Sequence, residues 1–258
     1  MSPPPIPSRA IVRPPGRTYP EALTRREPRP PIDLELAQRQ HRGYVATLRH
    51  VGLDVTVLPA DDEHPDAVFV QDRVCVLDGC AIVGPSAVAS RRGETAALVE
   101  VLGGSYPVVE LPTPSCLDWG DVLITEHALF VGLSERSNEA AVEALRDVAG
   151  SSRTVEGVSL PAGLLHLLSG CAYLGEGKLL AVPALEPFAR ARGFDVIPVA
   201  ETEPSAANVL AHGEWAVVPA GFPETAARIK SAGFRVQRIS VSEFEKRDGG
   251  VTCLSVLY

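Results

Sequence analysis

The sequence predicts an α/β fold in which five strand–strand–helix–strand (ββαβ) units form a closed ring, a five-bladed α/β propeller with pseudo-fivefold symmetry. The first observation is a repeated order of hairpin, helix and strand along the 258 residues. The second is that the first unit lacks an opening strand, whereas residues 252–257 form a strand-like run that can pair with residues 10–12. This pairing would close the ring within a single domain, residues 1–258. The pattern alone also permits an open, doubly wound parallel sheet.

The predicted elements follow in chain order. The segment 1–9 is expected to be flexible, a short strand lies at 11–13, and the proline- and arginine-rich segment 16–31 has no periodicity and is expected to be a loop. Asp33 caps an amphipathic helix that continues to about residue 50, and a strand follows at 54–58. The other four units each contain a hairpin, a helix and a strand, predicted at 67–83, 92–102 and 108–111; 122–131, 138–148 and 154–160; 172–182, 185–192 and 196–199; and 209–218, 224–232 and 236–241.

Composition argues against several classes of protein. The net charge is −8, with 32 acidic and 24 basic side chains, which disfavours a nucleic-acid partner and favours cationic small molecules. No apolar run approaches the roughly 20 residues of a membrane span, and the first residues lack the apolar core of a secretory signal. The five cysteines are odd in number and lack CxxC spacing. We therefore expect no disulfide framework, no metal site, no membrane partner and a cytoplasmic location.

Polar side chains collect at the junctions between successive units. They are Asp66, Gln71, Asp72, Asp118, Asp121, His166 and Cys253. Because pseudo-equivalent positions of a ring face the same axis, we expect these side chains to lie close together. Carboxylates, a histidine and a cysteine in one polar site are typical of a cysteine nucleophile with a proton shuttle.

Each of these residues also has a purely structural interpretation. Cys253 could be a small buried apolar residue, and His166, inside an apolar run, could be a core histidine. A buried imidazole needs a polar partner, so a carboxylate such as Asp118 is expected beside it in either case. Arg91 and Arg136 lie near predicted helix starts, where a cation opposes the helix dipole, which points to an anionic ligand unless the charges are simply solvated.

Several motifs, in the right order, resemble one known family. They are Pro65-Asp66-x-Val68-Phe69-Val70-x-Asp72, Ser90-Arg91-Arg92, Leu117-Asp118-x-Gly120-Asp121-Val122-Leu123, Val131-Gly132-Leu133-Ser134-x-Arg136-x-Asn138, His166-Leu167-x-Ser169 and Asp248-Gly249-x-x-Thr252-Cys253-x-Ser255-Val256-Leu257. The chain is similar to dimethylarginine dimethylaminohydrolase, of the guanidine-modifying, or pentein, superfamily, from about residue 10 to residue 257. The resemblance implies a pentein ring that hydrolyses Nω-methylated arginine, a small guanidinium amino acid, to citrulline and dimethylamine or methylamine, with no metal or other cofactor.

The resemblance also implies roles for individual residues. Cys253 matches the family's nucleophile, His166 its general acid and base, and Asp118 the carboxylate that orients the histidine or the guanidinium. Matches to substrate-binding positions are Asp66 and Asp72 for the guanidinium, Arg91 and Arg136 for the carboxylate, Gln71, and Leu23 in the segment 16–31, which would form a lid.

Two positions depart from the family pattern. Gln71 stands where relatives usually have glutamate, so we expect altered recognition of the substrate cation. Trp119 stands where glycine is usual, so we expect a reshaped pocket or a special backbone angle.

Other functions remain open at this point. The same superfamily contains arginine deiminase, agmatine deiminase and amidinotransferases, and a ring of this kind could also be a non-catalytic binding protein. The exposed faces of such a ring would also allow a homodimer.

Overall fold

The structure is a computed structural model that describes residues 6–258. Its strands are β1 (Arg9–Val12), β2 (Asp54–Val57), β3 (Val74–Leu77), β4 (Cys80–Val83), β5 (Val108–Glu110), β6 (Val122–Ile124), β7 (Ala128–Leu133), β8 (Thr154–Ser159), β9 (Cys171–Gly175), β10 (Lys178–Ala181), β11 (Asp195–Pro198), β12 (Leu210–His212), β13 (Trp215–Pro219), β14 (Arg235–Ile239) and β15 (Val256–Leu257). Its α-helices are α1 (Leu34–His50), α2 (Ala96–Gly103), α3 (Glu139–Ala149), α4 (Glu186–Ala191), α5 (Pro223–Ser231) and α6 (Ser242–Glu245).

These strands form five three-stranded sheets, in the orders β15-β1-β2, β3-β4-β5, β6-β7-β8, β9-β10-β11 and β12-β13-β14. In each sheet the first two strands are antiparallel, and a helix connects the second strand to a third that runs parallel to it. This topology confirms the five predicted ββαβ units and rules out an open, doubly wound sheet. Within residues 6–258, no helix combines the length and apolar character needed to span a bilayer.

The ring is closed by a strand from each end of the sequence. Strand β15 pairs antiparallel with β1, with Ala10 opposite Leu257 and Ile11 opposite Val256, as predicted. The backbone amides of Ser8 and Arg9 both donate to the carbonyl of Tyr258, at 3.0 and 2.8 Å. Of the segment 1–9 expected to be flexible, residues 1–5 lie outside the described part of the chain, whereas residues 8 and 9 are fixed by this pairing.

A short 3₁₀ turn precedes the first strand of every sheet. The turns are Val70–Asp72, Trp119–Asp121, Leu167–Ser169, Pro204–Ala207 and Thr252–Leu254. The first four turns contact one another in succession, and the turn at 252–254 contacts the turn at 70–72 across the closure of the ring. The strands predicted to begin at residues 67 and 252 therefore begin later, because residues 67–72 and 252–254 form turns and do not pair in a sheet.

Helix α1 supports the turn at residues 252–254. Asp33 caps it by accepting a hydrogen bond from the Leu36 amide at 2.9 Å, which confirms the predicted start. The phenol of Tyr44, fully buried on the inner face of α1, donates to the Val251 carbonyl at 2.6 Å and lies 2.8 Å from Ser255 Oγ. The helix of the first unit thus holds both sides of the segment that carries Cys253.

Candidate active site

A pocket of about 140 Å³ lies where three of the turns meet the segment 16–31. Its lining residues are Leu23, Thr24, Arg25, Asp66, Phe69, Asp72, Arg91, Arg136, Leu165, His166, Arg247, Asp248, Gly249 and Cys253. Seven of the nine site residues predicted from the sequence are therefore brought together in one cavity. Asp118 lies directly behind it, fully buried, and Gln71 lies elsewhere.

Cys253 occupies the middle of its 3₁₀ turn and is only 9% exposed. The Gly250 amide donates to its Sγ atom at 3.4 Å. Burial, and next the negative charge of Asp72, raise the pKa of the Cys253 thiol to about 12. The Cys253 thiol is therefore neutral at physiological pH, and a cation bound beside it would favour the thiolate.

The turn of Cys253 is fixed to the turn that follows His166. Asn208 Oδ1 accepts from the Thr252 amide at 3.0 Å, while Asn208 Nδ2 donates to Thr252 Oγ1 at 2.7 Å and to the Leu168 carbonyl at 3.3 Å. A Cβ atom on Gly250 would lie 2.3 Å from Asn208 Oδ1, so only glycine allows this close approach.

His166 is buried with its Nδ1 atom 3.3 Å from Asp121 Oδ2. Asp121 is itself fixed, because it accepts from Ser134 Oγ and Ser137 Oγ, both at 2.7 Å, and from the Leu167 amide at 3.2 Å. The structure thus places Asp121, and not Asp118, at the histidine nitrogen. Burial opposes protonation of His166, but Asp121, together with the charges of Asp72 and Asp118, outweighs it and raises the pKa of the imidazole above its ordinary value.

Asp72 and Asp118 each present one carboxylate oxygen that lacks a hydrogen-bond donor among the described residues. Asp72 Oδ2 accepts from Arg91 Nη1 at 2.8 Å, and Asp118 Oδ1 pairs with Arg73, which leaves Asp72 Oδ1 and Asp118 Oδ2 buried and unsatisfied. Burial raises the pKa of Asp118. Burial also acts to raise the pKa of Asp72, but the positive charges of Arg91, His166 and Arg73 together outweigh it and hold that pKa below its usual value. Unsatisfied buried acceptors are costly, so this site is suited to a planar cation with several N–H donors.

The same groups also have the spacing of a metal site. One ligand atom each from Asp72, Asp118 and His166 lie within 4.8 Å of one another. Arg73 and Arg91 already pair with the two carboxylates, and the guanidinium of Arg136 lies 3.6 Å from Asp118 Oδ2. The positive charge of these three arginines disfavours binding of a divalent ion. That the protein needs no metal stays a prediction, which this charge supports.

The two arginines predicted to bind a carboxylate differ in the structure. Arg91 is buried, and its donors are engaged by Glu94 (Nε at 3.1 Å and Nη2 at 2.9 Å), by Asp72 and by the Phe69 carbonyl at 3.3 Å. These contacts fix Arg91 beside Asp72 at the wall of the pocket, and its role at a substrate carboxylate stays a prediction. The side chain of Arg136 is 17% exposed, and its guanidinium makes no hydrogen bond to any described residue.

The two departures from the family pattern point away from the pocket. Gln71 Nε2 donates to the Trp119 carbonyl at 2.9 Å, and the side chain lines a separate cavity of about 670 Å³. The indole of Trp119 is buried in the core and donates to the Ile82 carbonyl at 3.1 Å, and Trp119 is not among the residues with positive φ. Neither side chain lines the pocket, because neighbouring residues of a 3₁₀ turn point in different directions, and the special backbone angle expected at Trp119 is absent.

The segment 16–31 lies across the pocket. Asp66 is buried, with its pKa raised by burial, and its Oδ1 atom accepts from the Leu23 amide at 3.0 Å. Arg247 donates to the carbonyls of Pro20 and Pro30 at 2.7 and 3.0 Å. These contacts hold the segment in place over Cys253, as a lid would be held.

Four functional side chains were not predicted, namely Arg73, Glu94, Asn208 and Arg247. Asn208 follows the fourth 3₁₀ turn, at the same kind of junction as the predicted residues, so the repeat itself could have indicated it. The arginines and Glu94 act through buried pairing, for which the sequence carries no comparable signal.

Comparison with known proteins agrees with this geometry. Residues 26–156 match the family model described as N,N dimethylarginine dimethylhydrolase, eukaryotic. N(G),N(G)-dimethylarginine dimethylaminohydrolase of Pseudomonas aeruginosa is 33% identical over 96% of this chain and 98% of its own length, and that of Streptomyces coelicolor is 34% identical over 96% of each. A solved structure of the P. aeruginosa enzyme, a cysteine-to-serine mutant in complex with citrulline, superposes with a TM-score of 0.92 and 32% identity, covering 98% of this chain and 100% of that one.

The closed ring of five ββαβ units, with a cysteine, a histidine and carboxylates around one pocket, defines a guanidine-modifying enzyme fold, the pentein fold. Within that class, the chain belongs to the dimethylarginine dimethylaminohydrolase family.

Proposed function

We propose that this protein hydrolyses Nω-methylated arginine, asymmetric dimethylarginine or monomethylarginine, to citrulline and dimethylamine or methylamine. The observation that carries the proposal is the pair of unsatisfied oxygens, Asp72 Oδ1 and Asp118 Oδ2, buried in the same site as Cys253 and His166. A planar guanidinium has N–H groups that satisfy both oxygens, and its central carbon then lies beside the thiol.

The first half-reaction transfers the amidine carbon to sulfur. Binding of the cation lowers the pKa of Cys253, and the thiol proton leaves to solvent. The thiolate attacks the guanidinium carbon to form a C–S bond and a tetrahedral adduct. His166, whose raised pKa favours the protonated form, gives its Nε2 proton to the dimethylamine nitrogen, and the C–N bond breaks. Dimethylamine leaves, and a thiouronium remains on Cys253.

The second half-reaction restores the enzyme. Neutral His166 takes a proton from water, and the hydroxide adds to the thiouronium carbon. The C–S bond then breaks with its electron pair returning to sulfur, and loss of one proton to solvent gives the ureido group of citrulline. Asp121, with Oδ2 3.3 Å from His166 Nδ1, orients the imidazole for both proton transfers.

Turnover assays test the proposal directly. The purified protein is incubated with asymmetric dimethylarginine, monomethylarginine, arginine and agmatine, and both the ureido product and the released amine are measured. We expect citrulline with dimethylamine or methylamine, and no turnover by Cys253→Ser with an unchanged circular dichroism spectrum. Ammonia released from arginine or agmatine would instead identify a deiminase. A folded protein that turns over none of the four would leave a non-catalytic ring.

Two further expectations belong to this proposal. The five cysteines are all free, which favours a reducing compartment, and we propose the cytoplasm. A homodimer stays a prediction, which light scattering of the purified protein measures.

A further inference from the structure

The second cavity, of about 670 Å³, has no part in the reaction as described so far. It is lined by the first strand of every sheet, β3, β6, β9, β12 and β15, and it therefore lies along the axis of the ring. Between residues 6 and 258, no residue lines both this axial cavity and the pocket. The axial cavity reaches the protein surface, because Ile6, which is 63% exposed, and the exposed side chain of Asp78 are among its lining residues.

The turn at 252–254 separates the two cavities. Its residue Cys253 lines the pocket, whereas the preceding residue, Thr252, is half-buried and lines the axial cavity. The turn that it contacts shows the same alternation, with Asp72 on the pocket and Gln71 on the axial cavity. The inner end of the axial cavity thus carries a hydroxyl and an amide, and a space of this volume with polar groups holds water. The nucleophile is therefore one residue away from a hydroxyl on a second route to solvent.

The hydroxyl of Thr252 is in polar contact with the reactive sulfur. Its Oγ1 atom lies 4.0 Å from Cys253 Sγ, at the outer limit of a hydrogen bond to sulfur, and catalytic contacts of this kind shorten when substrate binds. Asn208 Nδ2 donates to Oγ1 at 2.7 Å, and Asn208 Oδ1 accepts from the Thr252 amide at 3.0 Å. The hydroxyl oxygen is therefore fixed, while its proton can still rotate. The Gly250 amide, which also contacts Sγ, can donate a hydrogen bond but cannot accept a proton.

The proposed reaction needs a group that removes the thiol proton. The thiol is neutral before attack, and its proton must leave while substrate fills the pocket. His166 is not available, because in the proposed mechanism it carries the proton that it gives to the leaving amine. Asp72 is not available either, because one of its oxygens accepts from Arg91 and the substrate guanidinium satisfies the other. The segment 16–31 covers the pocket side of the sulfur, so the hydroxyl of Thr252 offers the proton a way out on the opposite side.

We propose that Thr252 is a catalytic residue whose hydroxyl transfers the thiol proton of Cys253 to water in the axial cavity. The S–H bond breaks and its proton passes to Oγ1, while the original O–H bond of Thr252 breaks on the other side and gives its proton to water. The hydroxyl is restored without a net charge, the electron pair stays on sulfur, and the new O–H group donates a hydrogen bond to the thiolate. The inference rests on the proposed function, which requires release of the thiol proton.

Variants of Thr252 separate the hydroxyl from the rest of the side chain. Thr252→Val and Thr252→Ala both lack the hydroxyl, and Thr252→Ser retains it. The alanine variant keeps the test valid if the valine variant does not fold. Thr125→Val is the matched control, because Thr125 also lines the axial cavity but its hydroxyl donates to the Ala128 carbonyl at 3.0 Å. Circular dichroism reports the folding of each variant, and calorimetry with citrulline reports whether its pocket is intact.

The first measurement requires no turnover. Iodoacetamide reacts with the thiolate and not with the thiol, and mass spectrometry of the peptide that contains Cys253 gives the rate of alkylation near pH 8. We expect this rate to fall about tenfold in Thr252→Val and Thr252→Ala, because the thiolate loses a hydrogen-bond donor, and to stay within about twofold of the wild type in Thr252→Ser and Thr125→Val. An unchanged rate in both variants that lack the hydroxyl, or an equal fall in Thr252→Ser, overturns the proposal.

The second measurement follows the proton itself. A pH indicator in weakly buffered solution records proton release after rapid mixing with asymmetric dimethylarginine, with Cys253→Ser as the blank. We expect a burst of protons before citrulline appears, and a burst at least about tenfold slower when Thr252 lacks its hydroxyl. A burst at the wild-type rate in Thr252→Val and Thr252→Ala overturns the transfer through the axial cavity. Absence of turnover by the wild type, with the expected pattern of alkylation, overturns the proposed reaction but supports the contact of the hydroxyl with the thiolate.

Discussion

Replacement of Asp121 by asparagine tests the proton chemistry most directly. Asp121→Asn keeps the size of the side chain and the acceptor for the Leu167 amide, but it removes the negative charge 3.3 Å from His166 Nδ1. Asp121 raises the pKa of His166 against the opposing effect of burial. In the variant, burial is no longer outweighed to the same extent, so the pKa must fall.

The size of the effect follows from the contact that is lost. Loss of an interaction with a charged group costs about 1.5–3 kcal/mol. We therefore expect the pKa of His166 to fall, because the protonated imidazole loses that stabilisation. Because the protonated imidazole is the general acid, and because protonation is lost as the pH rises through the folded-state pKa, kcat should fall about 10- to 100-fold near pH 8 and much less near pH 6.

The assay measures kcat for citrulline formation between pH 5.5 and 9, together with the NMR titration of the His166 ring proton. Asp195→Asn, at an exposed position away from the pocket, is the matched control, and circular dichroism reports folding. We expect the descending limb of the kcat profile and the NMR titration to move together to lower pH. A uniform loss of kcat at every pH, with an unchanged titration of the imidazole, would refute the conclusion that Asp121 raises the pKa of His166.

Three other outcomes are expected. Gln71→Glu should leave the relative kcat/KM values for mono- and dimethylated arginine unchanged. It should lower the midpoint of thermal unfolding more at pH 8 than at pH 5, because a carboxylate would then face the Trp119 carbonyl. A changed selectivity would instead place Gln71 at the substrate. Prolonged dialysis against EDTA should not reduce turnover, whereas activity that is lost and then restored by one metal would show that Asp72, Asp118 and His166 hold an ion. Burial raises the pKa values of Cys171 and Cys253 to about 12, so the contribution of each neutral thiol to stability is complete below its ordinary pKa and is lost as the pH rises towards 12. Over that pH range the free energy of unfolding should fall by about 1.4 kcal/mol per pH unit for each thiol. A slope that Cys253→Ala leaves unreduced would contradict this.

The fold could be predicted almost completely from the sequence, because a repeat constrains every copy at once. The closure by residues 256–257 against residues 10–11 followed from counting strands in each unit, and the convergence of Cys253 and His166 followed from their equivalent positions. These are properties of the repeat and do not depend on the direction of any single side chain.

The direction of side chains within a 3₁₀ turn could not be predicted. Asp118 and Asp121 are three residues apart around one turn, and only the backbone path decides which of them reaches His166. Gln71 and Asp72 are adjacent, yet one faces the pocket and the other the second cavity. The burial of the Arg91–Glu94 pair was also hidden, since the same spacing on an exposed helix would be a solvated surface contact.

The closure of the ring also makes activity a reporter of folding. Four sheets form from contacts between residues near each other in the sequence, whereas the fifth requires β15 to find β1 across about the whole chain. Contacts between distant residues form late because the entropy of the intervening loop opposes them. The nucleophile lies in the segment that makes this last contact, three residues before β15. An intermediate with four assembled blades would therefore have native-like helices and sheets but no reactivity, and the recovery of turnover during refolding would time the final step alone.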